Sequence, residues 1–484
     1  MSAGALSAAD IAAVRAQLGR EPTTAFSVVA RCMPDGHPLV IRNAPYDAEG
    51  KPFPTRFWLT CPDAVRAVST LEAGGAVRRW NERLEVDREL AERLGIAHMA
   101  YAGERDYEAA LLRGGGREGD IVAPALDAPI GGIGGTRVGV KCLHAHYAYH
   151  LAGGVDPIGA EVASQVEPLH AHEATDRIVA VVDQGTNSTR LLVLGERGPS
   201  GGPVELARDM EITQLGKGVD RRGSLYLDAI ARVYHVIGHF ARRAEVLGAS
   251  RIVVSATSAV RDAENRDEFV RWIRKLGPLV EVEILSGAEE AERTFAGAIA
   301  DVEAEGPFLV IDIGGGSTEF VLGDRDGIRA ATSTQMGSVR LTERCVRSDP
   351  VTPAELDALR AEVDRVLDDV ERTVPVRAAR TVVAVAGTTT TVQGVALGLP
   401  RYDPDLIHGS TLSLDDARGV LTRLAGEARE ARAAHPVMPR GREEVIVAGA
   451  VILVETMARF GLDRVTVSEH DILDGLGVAA LRGR

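Results

Sequence analysis

The sequence predicts an α/β protein whose larger, C-terminal part is two-lobed, and three observations carry that prediction. From Asp176 onward, apolar strands alternate with amphipathic helices. Within that stretch one unit occurs twice: IVAVVDQGTNSTRLLVL at 178–194 and FLVIDIGGGSTEFVL at 308–322. Each is an apolar strand, an Asp (Asp183, Asp312), a Gly-rich turn with Ser or Thr, and a second strand. Ahead of this stretch the composition differs: residues 1–150 hold Cys32, Cys61 and Cys142, Trp58 and Trp80, and several His. They are read as a separate α+β domain over 1–165. A linker over 166–175, a first lobe over 176–300 and a second over 301–484 complete the division.

Each element has its own signature. The Ala-, Gly-, Pro- and His-rich stretch 151–175 reads as a domain edge plus linker. Residues 224–247 place Leu227, Ile230, Val233, Ile237 and Phe240 on one helical face. At 353–372, Thr352 suits the N-cap, Pro353 the first helical position, and Glu355 a capping box. Leu356, Leu359, Val363, Val366 and Val370 form that helix's buried stripe, and Ser413 reads as a further N-cap. The apolar run 445–454 stops at Glu455, short of the ~18 residues of a membrane span.

Composition bounds the function. The chain has 484 residues, a length suited to about three domains. At 45% hydrophobic it can bury several cores, which excludes wholesale disorder. Aromatics are only 4%, so those cores rest on Ala, Val, Leu and Ile. A net charge of −14 argues against a general nucleic-acid binder. Lys51, Lys141, Lys217 and Lys275 are the only lysines, so an anion site must lean on Arg and backbone N–H groups. Cys32, Cys61, Cys142 and Cys345 are too few for a disulfide framework and fit a reducing compartment. The first twenty residues do not read as a signal peptide, so the expectation is a cytoplasmic protein that binds no membrane.

The two turns carry the chemistry. In Gly185, Thr186, Asn187 and Ser188, and again in Gly314, Gly315, Gly316, Ser317 and Thr318, backbone N–H groups can converge on an anion. Asp183, Asp312 and Glu319 are hard oxygen ligands of the kind that hold Mg²⁺ with phosphate oxygens. One such hairpin is most simply a tight turn. Two, each with an Asp at the same strand end, describe a cleft between two lobes. SGAEEA at 286–291 follows an apolar strand and opens a helix. A carboxylate there suits a general base, although acids in a first turn are also ordinary dipole partners. Thr257, Ser258 and Arg261 stand at another strand-to-helix junction, as anion ligands or, for Ser258, as a cap. Gly387 and Thr388 to Thr391 read equally as a phosphate turn or a Thr-rich strand edge. No P-loop, nucleophile elbow or H-E-x-x-H motif competes.

DQGTNSTRLLV, SATSAVRDAENRDEF, ILSGAEEAE, VIDIGGGSTEFVLG, QMGSVRLTE, VAGTTTTVQG, VIVAGAVILVE and SEHDILDGL occur in one order over about 176–484. In that order and spacing they resemble the exopolyphosphatase / guanosine pentaphosphate phosphohydrolase family. The resemblance implies an actin-like, ribonuclease-H-like fold of two lobes with the active site between them. It implies hydrolysis of a terminal phosphate from inorganic polyphosphate, or in some members from pppGpp; the rival reading, a polyphosphate-binding sensor without turnover, is opposed by the presence of Glu290, Asp183, Asp312 and Glu319. Mg²⁺ is the implied metal, with Mn²⁺ as substitute, K⁺ as a stimulating cation and a homodimer as a family-level expectation. By position, Glu290 matches the family's base. Asp183, Asp312 and Glu319 match the acids of its phosphate loops. Gly185, Asn187, Ser188, Arg190, Gly315, Gly316, Ser317 and Thr318 lie in those loops, Arg261 matches a phosphate-contacting Arg, and Thr388 is a further candidate. Glu292, Thr189 and Gln184 depart from the family pattern outside these residues. Arg190, Lys217, Arg261 and Arg340 are the candidate cations for a polyphosphate track.

RCMPDGHPLVIRNAPYDAEGKPFPTRFWLTCPDAVRAVSTLEAGG and VGVKCLHAHYAYHLAGG resemble an actinobacterial domain of unknown function. Cys32, Cys61 and Cys142 with His144, His146 and His150 can be read as a tetrahedral zinc site, against the commoner outcome of buried structural thiols.

Overall fold

The structure is a computed structural model that describes residues 2–3, 6–32, 36–47, 49–53, 55–113, 132–136, 138–166, 177–196 and 202–483. The linker expected at 166–175 lies, from 167 on, outside the described residues.

Two six-stranded sheets form the lobes. In the first, the order is Ser2–Ala3, Pro203–Ile212, Ser188–Glu196, Ile178–Gln184, Arg251–Ala256, Val280–Ile284. In the second it is Gly327–Thr334, Thr318–Asp324, Phe308–Ile313, Thr381–Val385, Arg464–Val467, Thr411–Ser413. Set aside the outermost added strand of each and both reduce to one plan. The first three strands form an antiparallel meander, and two later strands pair parallel beside the opening strand. This 3-2-1-4-5 order, present twice, is the ribonuclease-H-like arrangement duplicated into the actin-like fold, as the resemblance implied. The opening strands are buried along their whole length, as Val- and Ile-rich central strands must be when both faces are covered.

The helices follow their sequence signatures. Thr352 caps Pro353–Thr373 with Glu355 completing the capping box. Ser413 accepts from Asp416 N at the start of Leu414–Gly426. Leu227–Val246 buries Ile230, Val233, Ile237 and Phe240, whereas Leu227, expected on that face, is 65% exposed at the helix start. The Thr-rich stretch is neither strand edge nor simple turn: the strand ends at Val385 and Ala386–Ala396 is helical, with Thr388 in its first turn.

Packing does not divide at a single residue between the lobes. Gly287–Ala298 lays Ala291, Phe295 and Ala298 on Phe308, Val310, Val321, Val383 and Val385 of the second sheet. Conversely, Ile472–Leu481 lays Ile472, Leu473, Leu476 and Ala480 on Val179, Val181, Leu192, Leu194 and Val253 of the first. The two exchanged helices cross at glycines. A Cβ on Gly297 would strike the Asp471 carbonyl, and one on Gly475 the Arg293 carbonyl, so only glycine permits this approach.

The N-terminal domain is a three-stranded antiparallel sheet (Phe26–Arg31, Pro38–Asn43, Phe57–Leu59) with helices packed on it. Its core is continuous with that of the first lobe. The buried Arg243 of the first lobe donates to Asp209 Oδ2 at 2.8 Å and to the Val29 carbonyl of the N-terminal sheet. The chain start reaches further still: Ser2–Ala3 pairs with Pro203–Ile212, and Ala8 N donates to Asp405 of the second lobe at 3.2 Å.

Candidate active site

The duplicated hairpins close alike. Gly185 N donates to Ser188 O at 2.9 Å, and Gly314 N to Ser317 O at 3.1 Å. Asp183 faces Arg190 across its ladder, and Asp312 faces Glu319 across the other. The two tips then meet. A Cβ on Gly315 would touch Thr186, and one on Gly316 would strike Thr186 and Ser258, whose hydroxyls are 2.9 Å apart. The lobes therefore approach through the glycines of the second turn, and a cavity of about 690 Å³ opens beside them.

Glu290 reaches this cavity from the first turn of Gly287–Ala298. Its neighbour Glu289 is spent elsewhere: its carboxylate accepts from Ser286 N at 2.8 Å in a capping box at the surface. Glu290 is buried, and Arg261 Nη1 donates to its Oε2 at 2.8 Å and to the Leu285 carbonyl at 3.0 Å. Burial pushes Glu290 up to about 7, against the pull of Arg261 and with the charge of Asp183 adding to the rise. Burial first, then the charges of Asp471 and Glu290, push Asp312 up to about 8. Glu319 is driven well above its ordinary range by burial and by Glu290 and Asp312. Asp183 is raised by burial despite Arg190, which donates to its Oδ2 at 2.6 Å.

Burial and mutual repulsion raise these carboxylates even with Arg190 and Arg261 beside them, so the cleft is short of positive charge. The other Asp183 oxygen, Oδ1, is buried with no hydrogen-bond partner among the described residues. Asp183, Asp312 and Glu319 line one cavity with hard oxygen donors, whose chemistry suits a divalent cation of the Mg²⁺ type.

The expected ligands divide. Gly185, Asn187, Ser188, Arg190, Gly315, Ser317 and Thr388 line the cavity with Asp183, Glu290, Asp312 and Glu319. Gly316 instead forms the contact between the tips, and Arg261 acts on Glu290. Thr318 donates its hydroxyl to the Met336 carbonyl and does not line the cavity. Arg190 bridges Asp183 and Asp471, so it neutralises acids before it meets an anion. Lys217 lies 3.5 Å from Glu444, and Arg340 bridges Asp220 and Asp262, so neither stands as an uncompensated cation. None of the four cysteines is in a disulfide, in keeping with the absence of a disulfide framework expected from the sequence.

Three features escaped the sequence reading. Asp471, within the SEHD motif, lines the cavity and caps Ile472–Leu481. Its signal was the one that marks Glu290, an acid at a strand-to-helix junction. Arg442 also lines the cavity. It donates to Thr391 Oγ1 at 2.9 Å and has no carboxylate at ion-pair distance among the described residues, which leaves its charge for an anion. Finally, Leu6, Ile11, Pro22, Thr24, Ala25 and Phe26 of the N-terminal domain wall the same cavity.

This duplicated fold with acids and N–H turns in its cleft defines a phosphoryl-handling enzyme, and comparison with known proteins narrows it. The Ppx/GppA phosphatase family model matches residues 196–481. The model described as protein of unknown function (DUF501) matches residues 28–164. Exopolyphosphatase 2 of Mycobacterium tuberculosis is 42% identical over 313 residues, covering 62% of this chain and 98% of that protein. The guanosine-5'-triphosphate,3'-diphosphate pyrophosphatase of Vibrio cholerae is 31% identical over 194 residues, 40% of this chain and 38% of that one. Among solved structures, an exopolyphosphatase-like protein matches with a TM-score of 0.60 and 35% identity over 63% of this chain and 99% of its own. The Aquifex aeolicus PPX-GPPA enzyme matches with a TM-score of 0.53 and 29% identity, over 63% and 99%. The chain belongs to the Ppx/GppA phosphatase family and is a phosphatase, fused to an N-terminal DUF501 domain. No helix among the described residues is long and apolar enough to cross a membrane.

Proposed function

We propose that this chain is a cytoplasmic exopolyphosphatase that hydrolyses the terminal phosphate of inorganic polyphosphate with Mg²⁺, using Glu290 as general base. The observation that carries the reading is Glu290 itself: a buried carboxylate, pushed up to about 7, set in the cavity that both N–H turns line. A base titrating near the working pH is well matched to drawing a proton from water. Arg261 fixes its orientation by holding one oxygen and the Leu285 carbonyl together.

The remaining residues divide the phosphate chain between them. The turns at Gly185–Ser188 and Gly314–Ser317 donate backbone N–H groups to the terminal phosphoryl oxygens, and the Ser317 and Thr388 hydroxyls add donors. Arg442 takes the charge of a following phosphate. Asp183, Asp312 and Glu319 would hold Mg²⁺, which when bound neutralises charge on the transferred group. Asp471 holds Arg190 against Asp183, keeping the first carboxylate in place.

A second reading, pppGpp as substrate, is favoured by one observation: Leu6, Pro22, Phe26, Val437 and Met438 give the cavity an apolar wall. A linear phosphate chain gains nothing from such a wall, whereas a nucleobase does. The test is phosphate release by the full chain with Mg²⁺ from long polyphosphate, short polyphosphate and pppGpp, with Glu290→Gln as control. Polyphosphate turnover abolished by the substitution supports the proposal. Turnover of pppGpp alone moves the substrate to the nucleotide, and undiminished turnover by the variant removes Glu290 as base.

A further inference from the structure

The antiparallel pairing of the N-terminal sheet gathers three soft ligands at one end. Cys32 follows strand Phe26–Arg31, His37 precedes strand Pro38–Asn43, and Cys61 lies two residues past strand Phe57–Leu59. Since neighbouring strands run in opposite directions, these three positions share an edge. Hydrogen bonds hold them there: Cys32 N donates to His37 O at 2.9 Å, Gly36 N to Cys32 O at 2.9 Å, and Thr60 N to Leu39 O at 2.9 Å. Gly36 has φ +74°, a conformation that glycine adopts without strain. The two sulfurs and an imidazole nitrogen all lie within 4.8 Å of one another.

We infer that Cys32, His37 and Cys61 bind a zinc ion, with a fourth position open to water or a small ligand. The donor set selects the metal: two thiolates and an imidazole are soft to borderline ligands, the combination zinc takes in tetrahedral sites. Cys32 and Cys61 are 1% and 0% exposed, so thiolates there would need the compensating charge that a divalent cation brings. Cys61 is also the N-cap of Pro62–Ala73, its side chain makes no capping bond, and the helix dipole there favours the thiolate.

The six-residue zinc set read from the sequence does not come together: Cys142 and His144 gather with Glu72 in a group separate from that of Cys32, His37 and Cys61. His146 Nδ1 lies 2.7 Å from Asp156. His144 Nε2 lies 3.1 Å from both Val65 O and Ser69 Oγ. Against its burial, the bond to Cys142 and the charge of Glu72 push His144 up to about 9.

Elemental analysis of the full chain, reduced, loaded with Zn²⁺ and desalted, should find about one zinc per chain. Loading with Co²⁺ instead should give the thiolate charge-transfer band and the intense visible bands of a tetrahedral site. Cys32→Ser and Cys61→Ser should each lose the metal and the charge-transfer band, while Cys142→Ser keeps both. The wild-type spectra decide the matter even if a variant misfolds. A chain that takes up no metal, or a cobalt spectrum without thiolate character, overturns the inference. So does metal retained in Cys32→Ser, or a Cys32–Cys61 disulfide that survives isolation under mild reductant.

Discussion

Without its metal, this protein should lose stability as pH rises from 5 to 8. Unfolded, the cleft carboxylates ionise near pH 4. Folded, Glu290 keeps its proton up to about 7 and Asp312 up to about 8. Between those limits the native state binds more protons than the unfolded state. Stability from these groups is therefore full at pH values below 4 and is lost as pH climbs through 7 and 8. The shift of Glu290 from 4.5 to about 7 alone is worth about 3 kcal/mol at pH 8. Asp312 and Glu319 add in the same direction as a coupled set. Bound Mg²⁺ favours the ionised carboxylates, so its protection should grow with pH. The assay is urea unfolding at pH 5, 6.5 and 8, in EDTA and in Mg²⁺, for the wild type and Asp312→Asn. The midpoint in EDTA should fall with pH, less steeply in the variant, and the gap opened by Mg²⁺ should widen. A wild-type midpoint that tracks the variant's at every pH, or a Mg²⁺ gap equal at pH 5 and 8, refutes the reasoning.

Four further outcomes are expected. Glu290→Gln should lower kcat about 100- to 10,000-fold, while Glu289→Ala leaves kcat within about twofold and costs only its cap, under about 1 kcal/mol, as read by steady-state kinetics and thermal melts. The acid limb of the pH–rate profile should move to lower pH as Mg²⁺ is raised, since protons and metal compete for the same carboxylates. Arg442→Ala should raise KM for polyphosphate about tenfold or more with a smaller change in kcat, whereas an unchanged KM would remove it from the substrate. Gly475→Ala should cost about 3 kcal/mol or more, because its methyl must displace the Arg293 backbone.

The duplicated hairpins were legible because their information is local. An Asp ending an apolar strand, followed by glycines and hydroxyls, specifies the turn and its polarity within ten residues. Glu290 needed more: its position in the family motif selects it, and the capping box that Ser286 and Glu289 form shows that Glu289 is spent at the helix start. Arg442 was illegible because its role depends on the absence of an acid partner, a property of the folded surroundings. The roof built by Leu6 to Phe26 depends on how two fused domains dock, which no spacing records. The zinc set read from sequence took in His146 and His150, yet the imidazole at the sheet edge is His37, placed there by strand pairing.

The exchanged helices bear on how the chain is made. As the polypeptide leaves the ribosome, Val179, Val181, Leu192, Leu194 and Val253 emerge long before Ile472–Leu481, the helix that covers them. At ~5–20 residues per second, that face stays bare for roughly 10–40 s, a window in which a nascent chain invites aggregation or a chaperone. The same late helix brings Asp471, which secures Arg190 in the cleft. Synthesis cut short before residue 471 would therefore leave a chain both sticky and inert, because residues 471–481 complete the first lobe.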